Sequence, residues 1–175
     1  MKSKQIPQIL HIFAFFFAGI TAGLLIKFFI LDFLHIQGKS MEPTFKEGDI
    51  VPVLKAAYGL DVPFGDSTFV QWKYPEVGDV VIYMIDGHMV IKRCAAVGGC
   101  VLDYSFDSGY TLRAGDLLIP LTVDQYHLMK DSTSVPEGTI LALGDNYSDS
   151  VDSRKYGFVP VKNILGKVLC RRTAF

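Results

Sequence analysis

The N-terminal part of the chain contains a long apolar stretch that limits what the remainder can fold into. Residues 9–26 read ILHIFAFFFAGITAGLLI and carry no formal charge, and after Lys27 the apolar character resumes over residues 28–31. A helix crosses the hydrocarbon core of a bilayer with about 20 apolar residues, so the pattern predicts one transmembrane helix over residues 9–31. The remainder is then expected to fold beside a membrane surface.

Two other interpretations of this stretch are open. The core helix of a soluble domain can be equally apolar, and a removable signal peptide also lies near the N-terminus. A signal peptide has an apolar core of about 7–15 residues followed by small residues at the cleavage site. Here the run is longer, and the bulky residues of the segment DFLH follow it. We therefore favour a permanent single-pass anchor.

The charges on either side of the stretch predict its orientation. Lys2 and Lys4 precede it, whereas Lys27 and Asp32 lie at its far end. Because positively charged flanks stay in the cytoplasm, residues 1–8 are expected to be cytoplasmic. Residues 34–175 would then form one compact domain on the outer side of the inner or cytoplasmic membrane.

Composition narrows the partners and cofactors of this domain. The formal net charge of −1 gives no reason to expect a nucleic-acid partner. Cys94, Cys100 and Cys170 show no metal-ligand spacing, so neither a metal nor an organic cofactor is expected. In an oxidising compartment Cys94 and Cys100 can pair and leave Cys170 free, but three reduced thiols are at least as good an interpretation. We expect a monomer that contacts lipid through its anchor.

The region after the anchor has the pattern of a mainly β fold. Two Gly-Asp turn pairs each precede a short apolar strand, at residues 50–54 and 80–85. Later strands are predicted at residues 139–143 and 166–171. A loop is expected over residues 58–76, a small inserted subdomain over about residues 100–136, and at most one helical turn over residues 161–165.

One hairpin can be worked out residue by residue. Asp86-Gly87 between two apolar runs predicts a type I′ turn, because that turn needs positive φ at both positions. The register then places Ile82 opposite Ile91 and Val81 opposite Lys92. Side chains alternate between the faces of a strand, so Lys92 shares an apolar face with its neighbours. Desolvation on such a face lowers the pKa of an ammonium group.

Ser40 and Lys92 are the candidate nucleophile and base. A serine hydroxyl needs a nearby base, and a lysine can serve if its pKa falls from about 10.4 to about 7–8. Ser40 lies in the string GKSMEPT, just beyond the anchor. Each residue also has an ordinary interpretation: the serine as part of a turn around Pro43, and the lysine as a solvated or ion-paired edge residue.

A third polar cluster lies at residues 144–157, GDNYSDSVDSRKYG. It is rich in turn-forming and hydroxyl residues and follows the predicted strand at residues 139–143. It can be a hydrated surface loop. Because it combines carboxylates with Arg154, it can also form a fixed polar network at the end of a sheet.

Together these clusters resemble those of bacterial type I signal peptidases, the membrane-bound Ser-Lys leader peptidases. The resemblance covers residues 34–175, least strongly over residues 100–136, and rests on SMEPT, EGDIV, AYGLDVPF, VGDVVIY, VIKR and GDNYSDSVDSRKYGFVP. It implies one N-terminal transmembrane helix followed by a β-rich catalytic domain. It also implies that preprotein signal peptides are the substrates and that the enzyme is a serine endopeptidase.

The resemblance assigns a role to each matching position. Ser40 would be the nucleophile, with its backbone N–H in the oxyanion hole, Lys92 the general base, and Ser150 the residue that orients the lysine. Two ion pairs would support the site, Asp152 with Arg154 and Asp145 with Arg93. Pockets for small substrate residues would be lined by Leu34, Ile36, Met41, Phe45, Ile82 and Ile91.

Two departures from the family pattern stand out. Many members carry a hydroxyl residue two positions before the nucleophile, where this chain has Gly38, so the second oxyanion donor is open. After Arg93 the family usually shows Pro-Gly-Asp, where this chain has VGGC. The second departure is reminiscent of conjugative-transfer peptidases that mature a pilin-like substrate.

Two further alternatives belong to other classes of protein. A non-catalytic membrane-anchored binding domain would carry the same residues without the chemistry. A self-cleaving repressor also uses Ser-Lys chemistry on a β fold, but it needs a DNA-binding helix-turn-helix where this chain has its apolar stretch.

Overall fold

The structure, a computed structural model, describes residues 8–61, 68–106 and 109–169. Helix α1 spans Gln8–Phe29, and from Ile9 onward it is long and apolar enough to cross a membrane. No part of that span is buried against the protein, so the interpretation as a soluble core helix is wrong. The helix ends two residues earlier than predicted because Leu31 already pairs with Leu54 in a sheet.

The part of the chain that the structure describes after α1 is mainly β, as predicted. In chain order its strands are β1 (Leu31–His35), β2 (Ile50–Leu54), β3 (Gly59–Asp61), β4 (Thr68–Gln71), β5 (Val80–Ile85), β6 (His88–Val97), β7 (Leu102–Ser105), β8 (Thr111–Ala114), β9 (Leu117–Pro120), β10 (Thr139–Leu143), β11 (Val159–Pro160) and β12 (Ile164–Val168). Seven of them form one sheet in the order β1-β2-β12-β5-β6-β10-β11.

Three of the four strands predicted from apolar runs are confirmed: β2, β5 and β10 have the expected bounds. The strand predicted at residues 166–171 is instead Ile164–Val168, because pairing to Tyr83 already begins at Ile164. Residues 170–171 lie outside the described residues. The loop predicted over residues 58–76 contains the paired strands β3 and β4. The helical turn at Val161–Asn163 is a single 3-10 turn.

The predicted hairpin register is confirmed. Val81 pairs with Lys92 and Ile82 with Ile91 across β5 and β6. Asp86 and Gly87 have φ values of 49° and 76°, the left-handed conformation that a type I′ turn requires. The turn therefore decides which face of the sheet Lys92 occupies.

A separate three-stranded sheet, β7-β8-β9, and helix α2 (Val123–Met129) lie within residues 102–129. The sequence reasoning missed α2, which has only seven residues. Its signal was Thr122-x-x-Gln125, a capping box: Thr122 accepts from the Gln125 N–H, and the Gln125 side chain accepts from the Thr122 N–H.

Apolar side chains pack on both faces of the β5–β6 hairpin. Val81, Tyr83 and Cys94 belong to one buried cluster, and Val80 and Ile82 to another that reaches the Ser40 turn. Cys94 is a free thiol in the first cluster, and burial raises its pKa to about 12. Cys100 is free as well, so of the two alternatives for these two residues the reduced thiols are found and the Cys94–Cys100 pair is not. Cys170 lies outside the described residues.

Candidate active site

Ser40 and Lys92 meet where the turn after β1 reaches strand β6 of the large sheet. Lys92 is on β6 and is only 4% exposed, while Ser40 lies in the turn between β1 and β2. Lys92 Nζ donates to Ser40 Oγ at 2.8 Å and to Ile91 O at 3.0 Å. The hairpin places the amine among apolar neighbours, and the turn brings the hydroxyl to it.

The surroundings of Lys92 lower the pKa of its amine, as a general base near neutral pH requires. Burial lowers the pKa of the Lys92 amine, while the carboxylates of Asp152 and Asp145 oppose this effect. Burial prevails, so the pKa lies below its ordinary value. A larger fraction of the amine is then neutral near pH 7 than in a solvated lysine.

Backbone hydrogen bonds fix the turn that carries Ser40. Glu42 N–H donates to Lys39 O at 3.1 Å, and Asn146 N–H donates to Ser40 O at 3.0 Å. Gly38 begins the turn with φ of 77°, a conformation that favours glycine. Within the described residues the Ser40 N–H donates to no protein group, which leaves it available to an incoming oxygen.

Both predicted ion pairs are formed as bidentate contacts. Arg154 Nε and a terminal nitrogen each lie 2.8 Å from the Asp152 oxygens. Arg93 makes the same contact with Asp145 at 2.8 and 2.6 Å. All four side chains are nearly inaccessible to solvent. The Arg93–Asp145 pair holds the loop at residues 144–157 against β6, and the Asp152–Arg154 pair links two residues within that loop.

The Asp152 carboxylate also ties this loop to the end of β10. It accepts from the Gly144 N–H at 3.0 Å, and its neighbour Ser153 accepts from the Ala142 N–H at 2.9 Å. Burial by itself raises the pKa of the Asp152 carboxyl, but the Arg154 side chain and the Gly144 N–H outweigh it and hold the pKa below its ordinary value. Ser153 was not identified from the sequence, which carries no signal for it beyond its place after an aspartate.

Ser150 is where the predicted arrangement and the structure differ. The structure forms no hydrogen bond from Ser150 to Lys92, although Ser150 is only 5% exposed. Its Oγ has no hydrogen-bond partner within the described residues, and its side chain packs against Gly144. It lies close enough to Asp152 to lower the pKa of that carboxyl, without the geometry of a hydrogen bond.

A cavity of about 410 Å³ opens beside the Ser40–Lys92 contact. Of the predicted pocket residues, it is lined by Leu34, Ile36, Met41 and Ile91. Phe45 and Ile82 do not line it; both are buried in the cluster beneath. The prediction missed further lining residues from the same two segments, namely His35, Gln37, His88, Met89 and Val90. Their place in the sequence, close to Ile36 and Ile91, could have indicated that they line the same cavity.

The arrangement provides the parts of a serine nucleophile with a lysine base. A hydroxyl lies within hydrogen-bond distance of a buried amine whose pKa is lowered, beside a cavity and an unpaired backbone N–H. Across the described ranges no group of three or more His, Cys, Asp or Glu side chains is placed to hold a metal ion.

Comparison with known proteins identifies a family of peptidases that matches this chain. The model of the family described as "Signal peptidase, peptidase S26" matches residues 9–111 and 118–172. The match therefore includes the apolar helix, the Ser40 turn, the hairpin and the loop after β10.

Curated relatives from three bacteria are similar to this chain over most of their length. The chain is 32% identical over 158 residues to the probable signal peptidase I-1 of Synechocystis sp., covering 87% of this chain and 76% of that protein. It is 27% identical over 207 residues to signal peptidase I of Pseudomonas fluorescens, covering 95% and 73%. For signal peptidase I of Bacillus caldolyticus the identity is 29% over 157 residues, covering 87% and 85%.

Proposed function

This chain belongs to the signal peptidase family, peptidase S26, and on that basis we propose that it removes N-terminal signal peptides from exported preproteins as a membrane-bound serine endopeptidase. The single observation that supports this best is the 2.8 Å contact between Ser40 Oγ and Lys92 Nζ. In this proposal Ser40 is the nucleophile and Lys92 the general base.

The reaction follows from these two groups. Neutral Lys92 accepts the hydroxyl proton while Ser40 Oγ attacks the scissile carbonyl carbon. The oxyanion that forms is stabilised by the Ser40 N–H. The resulting ammonium group then protonates the leaving amine, and the peptide bond breaks to leave an acyl-enzyme. Water, deprotonated by the same amine, hydrolyses the ester and restores Ser40.

The signal peptide binds as an added strand. Strand β10 pairs with β6 only from Arg93 onward, so the His88–Lys92 half of β6 has one free edge within the described residues. An extended peptide can pair with that edge by backbone hydrogen bonds. The cavity lined by Leu34, Ile36 and Ile91 then accepts the small side chains that precede the cut.

The enzyme is placed at the membrane by α1. In our proposal α1 crosses the bilayer once with residues 1–8 in the cytoplasm, and residues 34–175 form the extracytoplasmic peptidase domain. Phe33 and Ile50 share one face of β1–β2 and are 63% and 70% exposed, immediately beyond the helix. They would contact lipid, and one copy of the chain suffices because Ser40 and Lys92 come from the same chain.

Cleavage of a purified preprotein in detergent tests this function. The wild type should release the mature protein, while Ser40→Ala and Lys92→Ala should each lose at least 10³-fold in kcat/KM. Ser134→Ala and Lys39→Ala are matched controls, because both side chains are exposed. Activity that persists in Ser40→Ala or in Lys92→Ala would contradict the proposed roles.

A further inference from the structure

Asn146 hydrogen-bonds to both peptide groups that flank the Ser40 Cα atom. Its side-chain Nδ2 donates to Lys39 O at 3.3 Å. Its backbone N–H donates to Ser40 O at 3.0 Å. The first acceptor belongs to the Lys39–Ser40 peptide group and the second to the Ser40–Met41 peptide group. One residue of the loop after β10 therefore holds the nucleophile's backbone on both sides.

The Lys39–Ser40 peptide group is the one that ends in the Ser40 N–H. In a trans peptide the C=O and the N–H lie in one plane and point in opposite directions. A hydrogen bond to Lys39 O therefore fixes the direction in which the Ser40 N–H points. It also polarises the amide, because hydrogen bonds in a chain strengthen one another.

The Lys39 carbonyl determines how the Asn146 amide is turned, because a carbonyl oxygen can only accept and therefore requires Nδ2 on its side. On the other side of the amide, Ser148 Oγ donates to Asn146 Oδ1 at 2.8 Å. Lys39 O also accepts from the Glu42 N–H within the turn. A carbonyl oxygen has two lone pairs, so both donors can bind it at once.

Gly38 increases the dependence on this backbone donor. Two positions before Ser40 there is no side chain that could donate to an oxyanion, and the space where its Cβ would stand is open within 4 Å. The Ser40 N–H is the donor that the described residues offer at this point. The direction of the Ser40 N–H and its strength as a hydrogen-bond donor then decide how well the oxyanion is stabilised.

We infer that Asn146 is a positioning residue that aims and polarises the Ser40 N–H toward the oxyanion. It does not touch the reacting atoms itself. The inference rests on the proposed function, since an oxyanion forms only if Ser40 attacks a carbonyl carbon. It adds a role for the loop at residues 144–157 that is separate from the two ion pairs.

Steady-state kinetics on Asn146→Ala, with the preprotein as substrate, test the inference. Losing one direct oxyanion donor costs about 10²–10³ in kcat, so losing a residue that only positions the donor should cost about tenfold. KM should stay within about twofold, because the interaction acts on the transition state. Ser148→Ala should show a smaller loss in the same direction.

Two readouts separate positioning from general damage to the fold. A peptide aldehyde, which forms a tetrahedral adduct with the serine, should bind Asn146→Ala about tenfold more weakly. The pH dependence of kcat/KM should not shift, because Asn146 makes no contact with Lys92. Asn146→Asp keeps the size and the backbone N–H but puts a carboxylate in place of the donor that faces Lys39 O, so its loss should be at least as large if the fold is intact. Val151→Ala, exposed in the same loop, is the matched control.

The outcomes distinguish this inference from the proposed function. Full kcat and unchanged aldehyde binding in both Asn146 variants, with Ser40→Ala inactive, overturn the inference alone. A shifted pH profile in Asn146→Ala also overturns it, since that would place the effect at Lys92. Cleavage by Ser40→Ala overturns the proposed function, and the inference with it.

Discussion

Lys92 Nζ donates a hydrogen bond to Ser40 Oγ across 2.8 Å, although the two residues are 52 positions apart in the chain. The contact joins a strand residue buried by the sheet to a hydroxyl held in a turn. Its geometry and the lowered pKa of the amine together support the proposed chemistry.

The pH dependence of cleavage should follow the Lys92 amine. The base must be neutral, so kcat/KM should fall about tenfold per pH unit below the pKa of Lys92. Because burial lowers that pKa, this limb should lie below the ordinary value of 10.5. Preprotein cleavage measured between pH 5 and pH 10 checks this, with Lys39→Ala as the control. A limb at the value of a solvated lysine would argue against the burial mechanism.

Removing the Lys92 amine should stabilise the fold while abolishing activity. A lysine whose folded pKa is lowered binds fewer protons than in the unfolded chain, so it destabilises the protein below that pKa. This penalty fades as pH rises and vanishes above about 10.5. We expect Lys92→Met to raise the free energy of unfolding by about 1 kcal/mol at pH 7. Denaturant unfolding at pH 7 and at pH 10 checks it; an equal difference at both would be inconsistent with this origin.

The Arg93–Asp145 pair should be far more important for stability than an exposed pair. Asp145→Asn removes the negative charge that contacts the buried Arg93 guanidinium, which costs about 3–5 kcal/mol. Lys73 and Glu76 form a contact at 3.2 Å with both side chains about half exposed, so Lys73→Ala should cost less than about 1 kcal/mol. Thermal unfolding of both variants in the same detergent compares them. Equal losses would refute the distinction.

Gly144 should tolerate no side chain. A Cβ there would lie 2.5 Å from Ser40 O and would also overlap the Ser150 side chain. Gly144→Ala must therefore displace the nucleophile or the loop, and we expect at least a 10²-fold loss of kcat/KM. Gly19→Ala is the control, because nothing lies within 4 Å of its added Cβ. A Gly144→Ala enzyme with wild-type activity would show that this contact is unimportant.

Residues beneath the cavity and residues that line it should respond differently. Ile82 is buried and does not line the cavity, so Ile82→Ala should cost about 2–5 kcal/mol in stability. Leu34 lines the cavity and is only half-buried, so Leu34→Ala should instead widen the range of side chains accepted before the cut. Unfolding curves and a panel of preproteins with altered residues there give both readouts. A loss of stability in Leu34→Ala together with a widened substrate range in Ile82→Ala would contradict both expectations.

The local features that could be predicted from sequence are those that depend on neighbouring residues. The apolar stretch predicts α1, and Asp86-Gly87 predicts the hairpin register, because turn type and side-chain alternation are properties of a short segment. That register places Lys92 on a buried face. The seven-residue helix α2 was missed because its capping signal is short and its apolar pattern weak.

Relations between distant segments could be found only in the folded structure. The apolar span, the β-rich domain and the family resemblance follow from patterns within short stretches of the chain. No such pattern predicts that Ser150 lacks its expected hydrogen bond, that Phe45 is buried below the cavity, or that Asn146 holds the Ser40 backbone. Those outcomes depend on packing between segments that are separated in the chain, by 107 positions for Asn146 and Lys39, and differences of an ångström there decide whether a hydrogen bond forms.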